Sequence, residues 1–233
     1  MNFQKIIDCI ADAFSVFDFS YIISGGISFV LIFVDLTFIH QVSFPINGSL
    51  PKLILAIFLS YVLGLVVWVI GRFVRNRFMN KEKDFITLFE STIKVLDFGV
   101  NIPVSSDEQS KAVYVNTAYS YMWSWLQTMK QDEQIFSKIR LINRYWVMQA
   151  VFEGLIGVAL LVLLIFIDYC YTKDVCIFTC EEIIGAFLFL GLLLLLVYLF
   201  ALEARKYART QVLDIITLYY LHSKQNENAT RQQ

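Results

Sequence analysis

The sequence predicts an all-α integral membrane protein: four transmembrane helices with a cytoplasmic helical module formed largely by extensions of the spans. Three observations carry that expectation. Of 233 residues, 58% are hydrophobic and 17% charged, and mean hydropathy is +0.61; a soluble domain is nearer half apolar and a quarter charged. Four strongly apolar stretches, each about the length a bilayer requires, stand in two pairs. One long polar interval separates the pairs, opening with Arg72, Arg75, Arg77, Lys81 and Lys83 and closing with Lys138, Arg140 and Arg144. Only 3 Pro and 10 Gly interrupt the chain, which favours long helices.

Taken in order, residues 1–20 read as an amphipathic interfacial helix. Phe3, Ile6, Ile7, Ile10, Phe14 and Phe17 recur at helical spacing, with Lys5, Asp8 and Asp12 on the other side. The same acids, with no basic region before them, set this stretch apart from a signal peptide. Residues 21–73 form the first transmembrane hairpin. Its first span carries Ser24, Gly25, Gly26, Ser28 and Asp35, its loop Pro45, Asn47, Gly48 and Pro51, and its second span Tyr61 and Gly64.

Residues 74–146 form the cytoplasmic helical module. The second span is expected to continue as one helix to about Asp97, with Phe78, Phe85, Leu88, Phe89, Ile93 and Leu96 on its apolar side. Gly99 to Pro103 ends it, and Ser105 with Glu108 resembles a capping box that starts a new helix. That helix carries a stripe of Val115, Ala118, Tyr119, Met122, Trp125, Leu126 and Met129. A further helix from about Gln131, with Ile135, Ile139, Ile142 and Trp146, runs into the third span.

Residues 147–203 form the second transmembrane hairpin, with Glu153, Gly154 and Gly157 in the third span and a loop over 168–182. The fourth span is nearly uniform Leu, Phe and Ile, and should face lipid. Residues 204–233 make a cytoplasmic C-terminal helix to about His222 and a polar, disordered tail. The short loops hold only Lys52 and Lys173, while the basic clusters lie at the opposite ends. The positive-inside rule therefore puts both termini and the module in the cytoplasm, and a bacterial inner membrane is the expected location.

Composition and motifs exclude more than they assign. A net charge of -1 gives no global attraction to nucleic acid. No phosphate-binding loop, G-x-G-x-x-G, H-E-x-x-H or nucleophile elbow occurs, so the chain reads as a non-enzyme without a cofactor. His40 and His222 are the two histidines, too far apart in the topology to share a site, so no His-based metal or acid–base centre is expected. Cys170, Cys176 and Cys180 sit in the second outer loop, where two of them can pair in an oxidising compartment; spacing does not choose the pair.

Asp35 and Glu153 are acids inside spans, where an ionisable group marks a pathway or a buried partner. For Asp35 the alternatives are headgroup contact and a carboxylate ring at a pore mouth. For Glu153 the plain alternative is a salt bridge with Arg144 or a C-terminal basic residue. Ser24 and Ser28 beside the glycine pair serve either close helix packing or the lining of a central path. Tyr121 and Trp123, within the aromatic run Tyr114 to Trp125, either stack on bases beside the basic cluster or fill a helical core. The basic cluster also has a plain role as topology signal and anionic-lipid anchor.

The layout resembles small four-span membrane effectors of bacterial antiphage defence, such as the channel component of Hailong-type systems. The resemblance lies in Phe17-Asp18-Phe19-Ser20-Tyr21 before Gly25-Gly26, in Tyr61 with Gly64, in the helical insert, and in Arg205-Lys206-Tyr207-Ala208-Arg209 after the fourth span. It implies a homo-oligomeric ion channel, a tetramer being one economical form, gated from the cytoplasm by a nucleotide or oligonucleotide. The site candidates come from the residues themselves: Ser24, Ser28 and Asp35 for a pore lining, and Arg72, Arg75, Arg77, Lys81, Lys83, Tyr121 and Trp123 for contact with a ligand or partner. The alternative is a non-conducting membrane scaffold that recruits a cytoplasmic partner.

Overall fold

A computed structural model describes residues 16–42, 50–79, 81–96, 108–129, 133–172 and 179–231. The expected N-terminal amphipathic helix lies almost wholly outside these residues, as do Ser105 and Cys176. Nearly all the described residues are helical: α1 (Val16–Val34) leads into a π-turn (Asp35–Ile39), followed by α2 (Leu50–Met79), α3 (Lys81–Leu96), α4 (Glu108–Thr128), α5 (Glu133–Thr172) and α6 (Cys180–Arg231). Four stretches, Ser20–Ile39, Lys52–Arg77, Glu133–Thr172 and Glu181–Lys224, are long and apolar enough to cross a membrane.

The helix expected to run from the second span to about Asp97 is described as Leu50–Met79 and Lys81–Leu96, with Asn80 between them outside the described residues. Two other boundaries differ from expectation, each for a local reason. The loop expected over 168–182 is shorter, because α5 extends to Thr172 and α6 starts at Cys180. Thr179 makes that start: its backbone N–H donates to Glu182 Oε2 (2.9 Å) and its Oγ1 accepts from the Glu182 N–H (3.4 Å). This is a capping box, which satisfies amides the first turn would otherwise leave open. The tail expected to be disordered from Ser223 is helical as far as Arg231. Its Lys, Gln, Glu and Ala residues are good helix formers, and no Gly or Pro interrupts them.

The chain divides into two compact units. The first comprises residues 1–75 and 147–204. Here α1, α2 and α5 approach one another through small residues. A side chain at Gly25 would fall on the Ser60 carbonyl oxygen, and one at Gly64 on that of Tyr21. Gly71 meets the Glu153 carbonyl and Gly157 that of Val67 in the same way. Close backbone approach gives dense dispersion contact. The apolar stretch of α5 is 39% buried and that of α6 only 6%, so α5 is the centre of this unit and α6 its outer wall. Phe152 with Phe200 and Phe166 with Phe189 join the two.

The second unit comprises residues 76–146 and 205–233. Its core is Phe89 and Ile93 of α3, Val115, Met122 and Leu126 of α4, Ile135, Ile139 and Ile142 of α5, and Val212, Ile215 and Ile216 of α6. Those of α3, α4 and α5 fall on the apolar stripes read from helical periodicity, while Val212, Ile215 and Ile216 of α6 join them without being singled out in the sequence. Arg205 grips Asp84 with two hydrogen bonds, Nε to Oδ2 (2.8 Å) and a terminal nitrogen to Oδ1 (2.6 Å). Lys111 and Glu90 pair at 2.6 Å across α3 and α4.

Candidate functional site

The first unit buries a charged pair. Arg75 reaches from α2 to Glu153 on α5, nitrogen to Oε1 at 2.7 Å, and the two side chains are only 3% and 1% exposed. One turn earlier on α5, Gln149 Nε2 donates to the same Glu153 oxygen (2.9 Å). Glu153 was expected to pair with Arg144 or a C-terminal basic residue; its partner is Arg75 instead. The glycine at 71 lets α2 sit directly against the Glu153 backbone, so an arginine one turn later can reach the carboxylate.

Beside the pair runs a stripe of serines. Ser20, Ser24 and Ser28 have no exposed surface. Ser24 Oγ donates to the Ser20 carbonyl (3.2 Å) and Ser28 Oγ to that of Ser24 (2.9 Å). Such bonds back into the helix let a hydroxyl sit in an apolar environment. Ser24 also lies against Gly154 of α5. Within this chain, Ser24 and Ser28 therefore face helix packing and not an open path. The exposed face of α1 is apolar: Ile23, Ile27, Val30 and Val34 follow one another at helical spacing.

At the end of α1 the helix widens into the π-turn. The His40 N–H donates to the Asp35 carbonyl (3.3 Å), and Gln41 takes a positive φ of 54°. A π-turn inside a helix re-aims side chains and recurs at functional positions. Here it brings Asp35 and His40 together with Asp168 of α5, with ligand atoms all within 4.8 Å of one another. His40 Nε2 and Asp168 Oδ2 are 2.8 Å apart. Sequence reasoning dismissed His40 for want of a second histidine; two carboxylates complete the group instead. The signal available was position, since all three residues lie at the same end of their apolar stretches.

The other expected ligand residues are dispersed. Arg75 is buried in the ion pair and presents no surface for a ligand. Arg72 is exposed, with its guanidinium 5.1 Å from the Trp68 ring centroid. Arg77 and Lys83, in the second unit, are exposed, and the Lys81 side chain is outside the described set. Trp123 packs edge-on against Trp146 (centroids 4.7 Å), so it belongs to the core side of α4. Tyr121 is 60% exposed and touches Tyr219. Tyr119 accepts a hydrogen bond from Gln211 Nε2 (2.7 Å), and burial pushes its phenol well above the usual value. Cys170 is a free thiol at the end of α5. The Cys180 side chain is outside the described set.

No protein-family model, no curated protein and no solved structure matches this chain.

Proposed function

We propose that the protein is an integral membrane effector of bacterial antiphage defence, a homo-oligomeric ion pore opened when a nucleotide or oligonucleotide signal binds its cytoplasmic helical unit. The observation that carries this reading is the Arg75–Glu153 pair, buried among helices otherwise built to face lipid. Desolvating two charges in such surroundings costs several kcal/mol, and an apolar pair would hold the helices equally well (~1–4 kcal/mol better in some proteins). Charges kept under those conditions act as a latch that can be made or broken, the kind of two-state element gating requires. α5 and α6 each carry residues of both units, a covalent route for the signal. The positive-inside rule places the basic unit and both termini in the cytoplasm.

Symmetry about the exposed face of α1 makes Ile23, Ile27, Val30 and Val34 a hydrophobic constriction, closed by dewetting, in place of a lining by Ser24 and Ser28. The test is ion flux from liposomes carrying the purified full chain. Flux rises on adding nucleotides extracted from phage-infected cells, and Ile27→Ser passes ions without them. An absence of flux in every case, with a cytoplasmic protein held in pull-downs, selects the scaffold. That second reading draws on exposed apolar side chains of the second unit, Val95, Val113 and Tyr121, at 83%, 62% and 60% exposed, which a partner would cover.

A further inference from the structure

We propose that Asp35, His40 and Asp168 bind a divalent transition-metal ion, with zinc as the best chemical fit, clamping the end of α1 to the end of α5. This stands on the geometry of the first unit alone and holds whether or not the protein conducts.

Three observations meet at this point. The first is the ligand set: one imidazole and two carboxylates, from two helices, with donor atoms all within 4.8 Å of one another. Ligands about 2.1 Å from a tetrahedral zinc lie about 3.4 Å apart. Small side-chain rotations bring this trio to that spacing. The second is Asp35 Oδ1, which is shielded from solvent and has no hydrogen-bond partner; Thr37 Oγ1 in the same turn is likewise shielded and unpartnered. A carboxylate oxygen withdrawn from water with nothing to accept is costly, and a cation supplies what it lacks. The third is the backbone. In an α-helix, residues five apart point about 140° away from each other. The π-turn adds a residue to the turn, and the His40 N–H bonds to the Asp35 carbonyl across it, so both side chains turn to one side.

The chemistry chooses the class of ion. Calcium and magnesium take oxygen ligands, and an imidazole is wasted on them. Nitrogen with two carboxylates suits zinc and its first-row neighbours. Without metal, the 2.8 Å contact is a hydrogen bond shared by His40 Nε2 and Asp168 Oδ2. On binding, that bond breaks. The Nε2 lone pair and the Oδ2 oxygen both turn to the ion, and the proton on Nε2 moves to Nδ1 or to solvent. Three protein ligands leave at least one position for water. His40 and Asp168 are 41% and 39% exposed, so an ion has access from solvent.

The test is zinc binding to the full chain in detergent, by equilibrium dialysis with metal analysis and by titration calorimetry. Cysteine thiolates are rival zinc ligands, so the measurement is repeated with Cys170, Cys176 and Cys180 all replaced by serine. The expected result is about one tightly held zinc per chain, retained in the serine variant. Affinity falls roughly tenfold or more in each of Asp35→Asn, His40→Asn and Asp168→Asn, with calcium and magnesium unable to compete. Helicity and elution volume confirm that each variant is folded. In case a variant does not fold, cobalt binding to the native chain reads the same site: a visible spectrum without a thiolate charge-transfer band supports oxygen and nitrogen ligands. No binding, binding in the three variants as tight as in the native chain, or loss of binding in the serine variant would each overturn the proposal, and the 2.8 Å contact would then be a hydrogen bond between helices and nothing more.

Discussion

Glu153 is held by Arg75 and Gln149 in a place that water does not reach. Removing one charge leaves the other stranded. Glu153→Gln should therefore cost about 3–5 kcal/mol, whereas Arg75→Met with Glu153→Met should return much of that stability. Unfolding of the purified protein in a denaturing detergent series measures both. Tyr119 makes a milder case: Tyr119→Phe leaves the buried Gln211 amide one partner short, a loss of about 1–3 kcal/mol. The two proteins should also differ in alkali. Burial raises the Tyr119 pKa above its ordinary 10.0, so the unfolded chain loses that proton first. The stability this phenol adds is whole below pH 10 and declines as pH climbs toward the folded value. The gap between the native chain and Tyr119→Phe should narrow accordingly in alkaline unfolding curves. None of these partners was legible in the sequence. Glu153 stood out as an acid in an apolar run, but its partner lies 78 positions away on another helix, and several arginines could have served.

At the scale of the helix, small residues decide where backbones touch. Gly25 and Gly26 are adjacent and read alike in sequence, yet they face different surroundings. A side chain at 25 meets the Ser60 carbonyl, whereas one at 26 meets nothing within 4 Å. Gly25→Leu should disrupt the α1–α2 contact and lower the thermal unfolding temperature or abolish recovery of folded protein. Gly26→Leu should leave both within error. Equal effects would mean that α1 is rotated from the orientation described. Helix existence was well legible, because apolar periodicity and the scarcity of Pro and Gly leave few alternatives. Helix ends were less so. The Thr179–Glu182 cap is hidden by the cysteines around it, whose spacing suggests a long loop. The helical end of α6 is hidden by its polarity, which in composition resembles disorder.

For the whole molecule, the division into an apolar and a polar unit follows from composition along the chain, and the four long apolar helices were readable from hydropathy alone. What composition could not supply is rank. The third apolar stretch is the most enclosed and the fourth the least, although their mean hydropathies, 2.8 and 2.9, are nearly equal. The difference arises from Gly154 and Gly157, which admit neighbours, where the glycines of the fourth, Gly185 and Gly191, meet nothing within 4 Å. Orientation gives a prediction at this scale. Cys170 is a free, partly exposed thiol at the end of α5. With the other cysteines changed to serine, a membrane-impermeant maleimide should label it in intact spheroplasts, while Ser223→Cys in a cysteine-free chain should label only after lysis. The reverse pattern would invert the topology.

The π-turn at Asp35–Ile39 can also be read as an insertion, one residue more than the helix needs to continue its winding. Deleting Leu36 would let the segment revert to ordinary α-helix with little change in hydropathy or length. His40 would then stand four residues after Asp35, about 40° around an ordinary helix, so the two would still share a face. The trio thus tolerates a one-residue gap inside the turn, whereas substitutions that straighten the turn at unchanged length would carry His40 about 140° from Asp35 and disperse it.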